Sequence, residues 1–232
     1  MSKRLRLLLL GLFLIFSFTI FSLLVKRGGM KDLDFTMTVK IQERIDNSSR
    51  LRLARMTGEV MEGATFQASP MVSIIAIIII TIITFIRRKR FRAVALLIPI
   101  AFGLLTIAEI YGKSVVHHPA PPFFLLKNPT TIFPKYQVLE DYSYPSGHAA
   151  RAMFLGITLF SCFILHTSLF KRKNMKVLTI IGIISYVSLI SVSRIYLGQH
   201  WISDVVGGLT LGGGSGLLTL AGLLSYNRKR NE

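Results

Sequence analysis

Near the C-terminal end of the chain, Arg194, His200 and Asp204 stand at the edge of long apolar runs. The stretch Ser193 to Asp204 reads Ser-Arg-Ile-Tyr-Leu-Gly-Gln-His-Trp-Ile-Ser-Asp. Ionisable groups beside hydrocarbon are costly, so they mark a functional site with identifiable partners. Four residues separate His200 from Asp204, a spacing that on a helix puts both on one face, a turn apart. A carboxylate there accepts from one ring nitrogen, fixes the tautomer and leaves the other nitrogen free to attack an electrophile. Arg194 adds a planar guanidinium suited to two oxygens of a phosphate. The same residues also suit an interfacial salt bridge beside a buried histidine.

A second group precedes an apolar block in mid-chain: Tyr144, Pro145, Ser146, Gly147 and His148. Ser146, Gly147 and His148 fall at the expected N-terminus of a helix. Free backbone N–H groups and the positive end of the helix dipole make that an anion site. His148 there can give a proton to a leaving oxygen. Ser146 as an N-cap and Gly147 as a tight turn are structural roles compatible with the chemical one.

The elements that must hold these groups are membrane spans. Of the 232 residues, 51% are hydrophobic, and they occur in blocks instead of at helical or strand period. The expected spans are 7–25, 71–86, 93–111, 149–170, 177–192 and 205–226. The first follows a basic start but is long for a signal peptide, and no small-x-small cleavage site follows it, so it reads as retained. Residues 30–69 are polar, with Phe35, Val39, Ile41, Ile45, Leu51 and Leu53 at helix-like spacing, and read as one or two amphipathic helices at the membrane surface. The last span is rich in glycine, which lets helices approach closely in lipid, and is expected at the centre of the bundle.

The net charge of +17 does not point to nucleic acid. Fifteen of the 28 Lys and Arg sit in four clusters beside the apolar blocks: Lys3, Arg4, Arg6; Arg87, Arg88, Lys89, Arg90, Arg92; Lys171, Arg172, Lys173, Lys176; and Arg228, Lys229, Arg230. Six spans put all four on one side, which the positive-inside rule makes cytoplasmic, with anionic lipids as neighbours. Both termini are then cytoplasmic. The loop 113–147, stiffened by six of the eight prolines, and the 194–204 stretch both face the other side of the membrane. Tyr196 and Trp201 fall where an aromatic belt would anchor that surface. The one cysteine, Cys162, allows no intramolecular disulfide. The chain thus reads as a single all-α integral membrane domain, a six-helix bundle with extracytoplasmic catalytic loops and a surface amphipathic segment. Its oligomeric state is not written in the sequence.

Pro-Ser-Gly-His at 145–148 followed by Ser-Arg-x5-His-x3-Asp at 193–204 resembles the type 2 phosphatidic acid phosphatase superfamily, which includes six-span lipid phosphatases and soluble vanadium haloperoxidases. The resemblance implies a phosphatase that uses no metal or other cofactor and works through a phosphohistidine. His200 matches the nucleophile, Asp204 the residue that orients it, and His148 the general acid. Lys113, Ser146, Gly147 and Arg194 match phosphate-binding positions. Phosphatidic acid, phosphatidylglycerol phosphate and polyprenyl diphosphate all fit as substrates, and transfer of phosphate to another acceptor is the alternative reaction. A metalloenzyme would need a ligand spacing that is missing, since His117 and His118 are adjacent and no His-Glu-x-x-His occurs. A transporter would place ionisable groups near the bilayer midplane, where Glu109 is the one acidic candidate.

One departure stands out. The family's first motif runs lysine, six residues, arginine, proline; Lys113 and Pro121 fit, but Ala120 occupies the arginine position. Arg151 lies three residues after His148, on the same helical face, and is expected to supply the missing phosphate contact. His117 and His118, near the vacant position, are the other candidates.

Overall fold

A computed structural model describes residues 1–47, 51–87, 92–127, 141–166 and 173–228. Their α-helices are α1 (Lys3–Lys26), α2 (Lys31–Asn47), α3 (Leu51–Gln67), α4 (Pro70–Arg87), α5 (Leu97–Val116), α6 (Gly147–His166), α7 (Lys173–Tyr196) and α8 (Ile202–Arg228). Short 3₁₀ turns cover Arg92–Leu96 and Phe123–Leu125. The described residues contain no β-strand, only an isolated bridge between Pro119 and Tyr142.

Among the described residues, four helical stretches are long and apolar enough to cross a membrane: Lys3–Lys26, Val94–Val116, Asn174–Tyr196 and Ile202–Leu224. Thr57–Gln67 and Pro70–Ile86 make a fifth if the two, bent by 50° at their junction, are one broken span. Pro70 explains the break: it is tolerated in the first turn of α4, but without an N–H it cannot continue α3. The sequence had placed α3 wholly in a surface segment. The expected span 149–170 is not among these stretches. Its described part, α6, starts among polar residues and ends at His166, and 167–170 lie outside the described residues.

The glycine-rich helix is central. Of the 18-residue apolar window in α8, 56% is buried, against 28% or less in the other three. A Cβ on Gly208 would stand 2.3 Å from the Ser146 carbonyl, and one on Gly212 2.2 Å from that of Ala150, so α6 packs backbone to backbone on α8. The main core joins Ile77 and Ile80 of α4, Ile98, Phe102 and Leu105 of α5, Phe154 of α6 and Leu223 of α8. Large apolar side chains on the outer faces of α1, α4, α5 and α7, such as Phe16, Ile78, Leu104 and Ile184, are exposed. That is the reverse of a water-facing bundle.

The helix α2 departs from the expected pattern in an informative way. Its buried residues are Asp34, Thr38 and Gln42, a polar stripe at four-residue intervals, while Leu33 and Phe35 are exposed. The stripe faces loops and helix ends whose backbone groups need partners. Gln42 Nε2 donates to the carbonyls of Leu125 (2.8 Å) and Tyr196 (2.9 Å). Asp34 accepts from Ser203 N–H (2.8 Å) and Oγ–H (2.7 Å).

Candidate active site

Two polar segments meet at one end of the bundle, as the sequence expected of 113–147 and 194–204. The N–H of Ser146 donates to the Asp204 carbonyl at 2.9 Å, and that of Lys127 to the Leu197 carbonyl at 3.0 Å. The Trp201 indole N–H donates to the Pro119 carbonyl at 2.8 Å. Gly198 makes the meeting possible: its φ is +67°, and a Cβ there would lie 2.1 Å from the Leu125 carbonyl oxygen. Tyr144 anchors the second segment. It is fully buried, shares a hydrogen bond with Ser22 Oγ at 2.9 Å and stacks on Phe18 of α1 at 6.0 Å. Pro129 and Pro134 of the proline-rich loop lie outside the described residues.

His200 is not on the helix. It ends the turn before α8, while Asp204 sits in the first turn. The two still meet, with His200 Nδ1 3.3 Å from Asp204 Oδ2. The same oxygen accepts the Trp201 N–H at 2.9 Å, so Asp204 caps its own helix and its orientation is set by the backbone. With Nδ1 committed to Asp204, Nε2 is the free nitrogen of His200. The His200 N–H itself donates to the Arg194 carbonyl at 3.2 Å, which ties the nucleophile candidate to the guanidinium-bearing residue.

Arg194 lies in the last turn of α7, and its Nη1 donates to Gln199 Oε1. Ser193 turns away, sharing a hydrogen bond with Thr65 of α3 at 2.8 Å. Helix α5 runs five residues beyond the expected end of its span, so Lys113 belongs to that helix and not to the loop. It stands 3.9 Å from Glu109 Oε1. Arg151 is buried, its Nη1 2.7 Å from Glu109 Oε2 and its Nε donating to the Ala68 carbonyl at 3.1 Å. Glu109 is thus the counter-ion of two of the expected phosphate-binding cations. Gly147 leaves the space that this carboxylate fills, since a Cβ there would be 1.9 Å from Glu109 Oε1. Ser146 is fully buried, and its Oγ has no hydrogen-bond partner among the described residues.

The two histidines feel the same cations. His148 is held well below its ordinary range by loss of solvent, then by the charges of Arg194, Arg151, His200 and Lys113. His200 is also lowered, chiefly by burial, with Arg194 and Lys113 adding to the effect and Asp204 opposing it. Both shifts favour the neutral imidazole when no anion is bound. Among the described residues, no group of three or more His, Cys, Asp or Glu is placed to hold a metal ion.

Three residues depart from what the sequence implies. His118 lies on neither the arginine position nor the surface: it is buried, with Nδ1 2.9 Å from Asp204 Oδ1. Asp34 falls in a segment whose spacing reads as amphipathic, although the polar stripe Asp34, Thr38 and Gln42 is visible in it. Burial raises Asp34 above the usual carboxylate range, an effect that its bonds from Ser203 partly oppose. Tyr196 is no belt residue. It is 4% exposed, its hydroxyl donates to Asp46 Oδ1 at 3.1 Å, and Lys127 Nζ lies 4.8 Å from its ring centre.

A model of the PAP2 superfamily matches residues 92–228, more than half of the chain. An undecaprenyl-diphosphatase of Sulfolobus acidocaldarius is 35% identical over 125 residues, which is 53% of this chain and 52% of the relative. The chain therefore spans about half the length of that protein. Phosphatidylglycerophosphatase B of Bacillus subtilis is 26% identical over 170 residues, 73% of this chain and 77% of the relative. The crystal structure of a transmembrane PAP2-type phosphatidylglycerolphosphate phosphatase from Bacillus subtilis superimposes with a TM-score of 0.70. The match covers 96% of this chain and 97% of that one at 22% identity, a likeness of fold.

Proposed function

Because the chain belongs to the PAP2 superfamily, we propose that it is a lipid phosphatase whose nucleophile is His200 Nε2. The observation that carries this reading is the pairing of His200 Nδ1 with Asp204, beside a second histidine, His148, and the cations Arg194 and Lys113. Nε2 attacks phosphorus in line with the leaving oxygen, the P–O bond to the lipid breaks, and His148 protonates that oxygen. Water then attacks the phosphohistidine, passing its proton to the now neutral His148, and inorganic phosphate leaves. Arg194, Lys113, the N–H groups at the start of α6 and the Ser146 hydroxyl stabilise the equatorial oxygens as charge builds. Arg151, shared with Glu109, supplies the cation that Ala120 does not.

The proton for His148 arrives with the substrate. Burial, and then Arg194, Arg151 and Lys113, favour the neutral imidazole in the empty site. A phosphate dianion between them reverses the balance and lets His148 hold a proton.

The substrate is a phosphate or diphosphate on a lipid whose tail stays in the bilayer. The chain is one catalytic domain with six spans, α6 included, and a surface segment around α2. It lies in the cytoplasmic membrane with both termini in the cytoplasm and the site at the opposite headgroup level, where anionic lipids surround it. Purified protein in mixed micelles, offered phosphatidic acid, phosphatidylglycerol phosphate and polyprenyl diphosphate, should release inorganic phosphate from at least one. His200→Ala should release none. Phosphate appearing on an added lipid or sugar instead of in solution would identify a transferase, and equal release by His200→Ala would remove the phosphohistidine.

A further inference from the structure

The hydrogen-bonded array behind His200 does not end at Asp204. Asp204 Oδ2 takes the His200 Nδ1–H and the Trp201 N–H, and Oδ1 faces His118 Nδ1 at 2.9 Å. The other ring nitrogen of His118, Nε2, lies 3.7 Å from Asp34 Oδ2. Asp34, His118, His200 and Asp204 are all at most 5% exposed. The chain of groups thus runs from α2 through the loop after α5 to the first turn of α8. Asp34 lies outside the residues matched by the family model.

The arrangement has a definite electrostatic requirement. Asp204 has no solvent, so its charge must be met by N–H donors. With Nδ1 on Asp204, Nε2 faces the Asp34 carboxylate, so two buried carboxylates hold one ring from its two nitrogens. The carboxylates of Asp34 and Asp204 are the charged groups that face this ring in the structure, and His200 joins through Asp204.

We propose that His118 and Asp34 are positioning residues for the nucleophile: the Asp34 carboxylate, 3.7 Å from Nε2, holds the His118 ring with Nδ1 on Oδ1 of Asp204, so that Oδ2 holds His200 in the tautomer with Nε2 free. The inference rests on the phosphatase reading above. It gives His118 a place behind Asp204 and not at the phosphate. Losing one hydrogen bond to a buried charge corresponds to roughly a tenfold to hundredfold effect.

Two substitutions separate the roles of the ring nitrogens. The amide nitrogen of Asn matches His Nδ1, whereas that of Gln matches Nε2. Steady-state phosphate release should give His118→Asn a kcat within a few-fold of the unsubstituted enzyme, and His118→Gln a kcat lower by about tenfold to hundredfold. KM should stay within twofold in both. Asp34→Asn in the His118→Gln background should cost nothing further, because Asp34 acts on Asp204 through the Nδ1 donor that Gln lacks. If KM rises while kcat holds, His118 contacts the phosphate and the proposal is overturned. Equal losses in the Asn and Gln variants, with matching losses of thermal stability, would make the role structural and overturn it too. His200→Ala, run in parallel, keeps the two readings apart: if it is active, the phosphohistidine fails. If it is inactive while His118→Gln is fully active, only the positioning role fails.

Discussion

Glu109 Oε2 and Arg151 Nη1 lie 2.7 Å apart, joining α5 to the second turn of α6 in a part of the bundle where both side chains are at most 10% exposed. A buried Arg among apolar helices must reach water or pair, and this one pairs. Removing Arg151 alone leaves a buried carboxylate with Lys113 as its remaining cation, a change that costs about 3–5 kcal/mol in comparable pairs. Arg151→Ala should therefore lower both thermal stability and turnover. Arg151→Leu combined with Glu109→Gln removes both charges and should recover most of the stability. If the guanidinium also serves the phosphate, turnover by that pair stays at least tenfold down, and Ala120→Arg added to Arg151→Ala restores part of it. Full turnover by the stable double variant would leave Arg151 a purely structural ion.

Asp204→Asn keeps the size of the side chain but offers an amide to His200. By analogy with other triads, kcat should fall about 10³- to 10⁴-fold. Because the oxygen that meets His200 also accepts the Trp201 N–H, an amide turned to His200 uncaps α8 as well, and the variant should lose about 0.5–2 kcal/mol of stability. A loss smaller than tenfold would mean that Asp204 does not set the tautomer.

The pH dependence follows from the charges around His148. In the free enzyme burial and then Arg194, Arg151, His200 and Lys113 depress it, whereas a bound phosphate anion opposes these cations and raises it. kcat/KM reports groups in the free enzyme and kcat those in the complex. The alkaline limb of kcat should thus lie at higher pH than that of kcat/KM. Lys113→Ala removes one cation, favours the protonated imidazole and should move the kcat/KM limb upward. Coincident limbs in the unsubstituted enzyme would argue against proton uptake with substrate.

Gly208→Ala and Gly212→Ala place a Cβ 2.3 and 2.2 Å from carbonyl oxygens at the start of α6. The backbone cannot yield as a flexible side chain would, so each should cost about 1–3 kcal/mol in unfolding experiments. Gly208→Ala presses on Ser146 itself and should also lower kcat/KM, whereas Gly182→Ala, with open space at its Cβ, should change neither.

Sidedness is checked with single cysteines in a Cys162→Ser background. A cysteine at the exposed Asp141 should react with a membrane-impermeant thiol reagent from outside the cytoplasmic membrane, and one at the exposed Asn174 only after permeabilisation. Ser143, in the same loop as Asp141, is 2% exposed and should stay unreactive. The reverse pattern would invert the topology and put the site in the cytoplasm.

What the sequence determined by itself was mainly local. The apolar blocks gave the helices, because hydrocarbon forces backbone groups to pair within a segment, and the spacing of His200 and Asp204 was enough to expect the contact that the two side chains make. The glycines of α8 announced a close helix contact, since nothing larger than hydrogen lets two backbones meet. Tertiary structure decided everything that depends on distance along the chain. Glu109 and Arg151 are 42 positions apart, so nothing in local pattern pairs them. His118 and Asp204 are separated by 86, and Ser203 and Asp34 by 169, yet each pair shares a hydrogen bond. The inverted face of α2 was hidden for the same reason. Periodicity tells which residues share a face, but whether that face meets lipid or unpaired loop backbone is fixed only when the rest of the chain has folded against it.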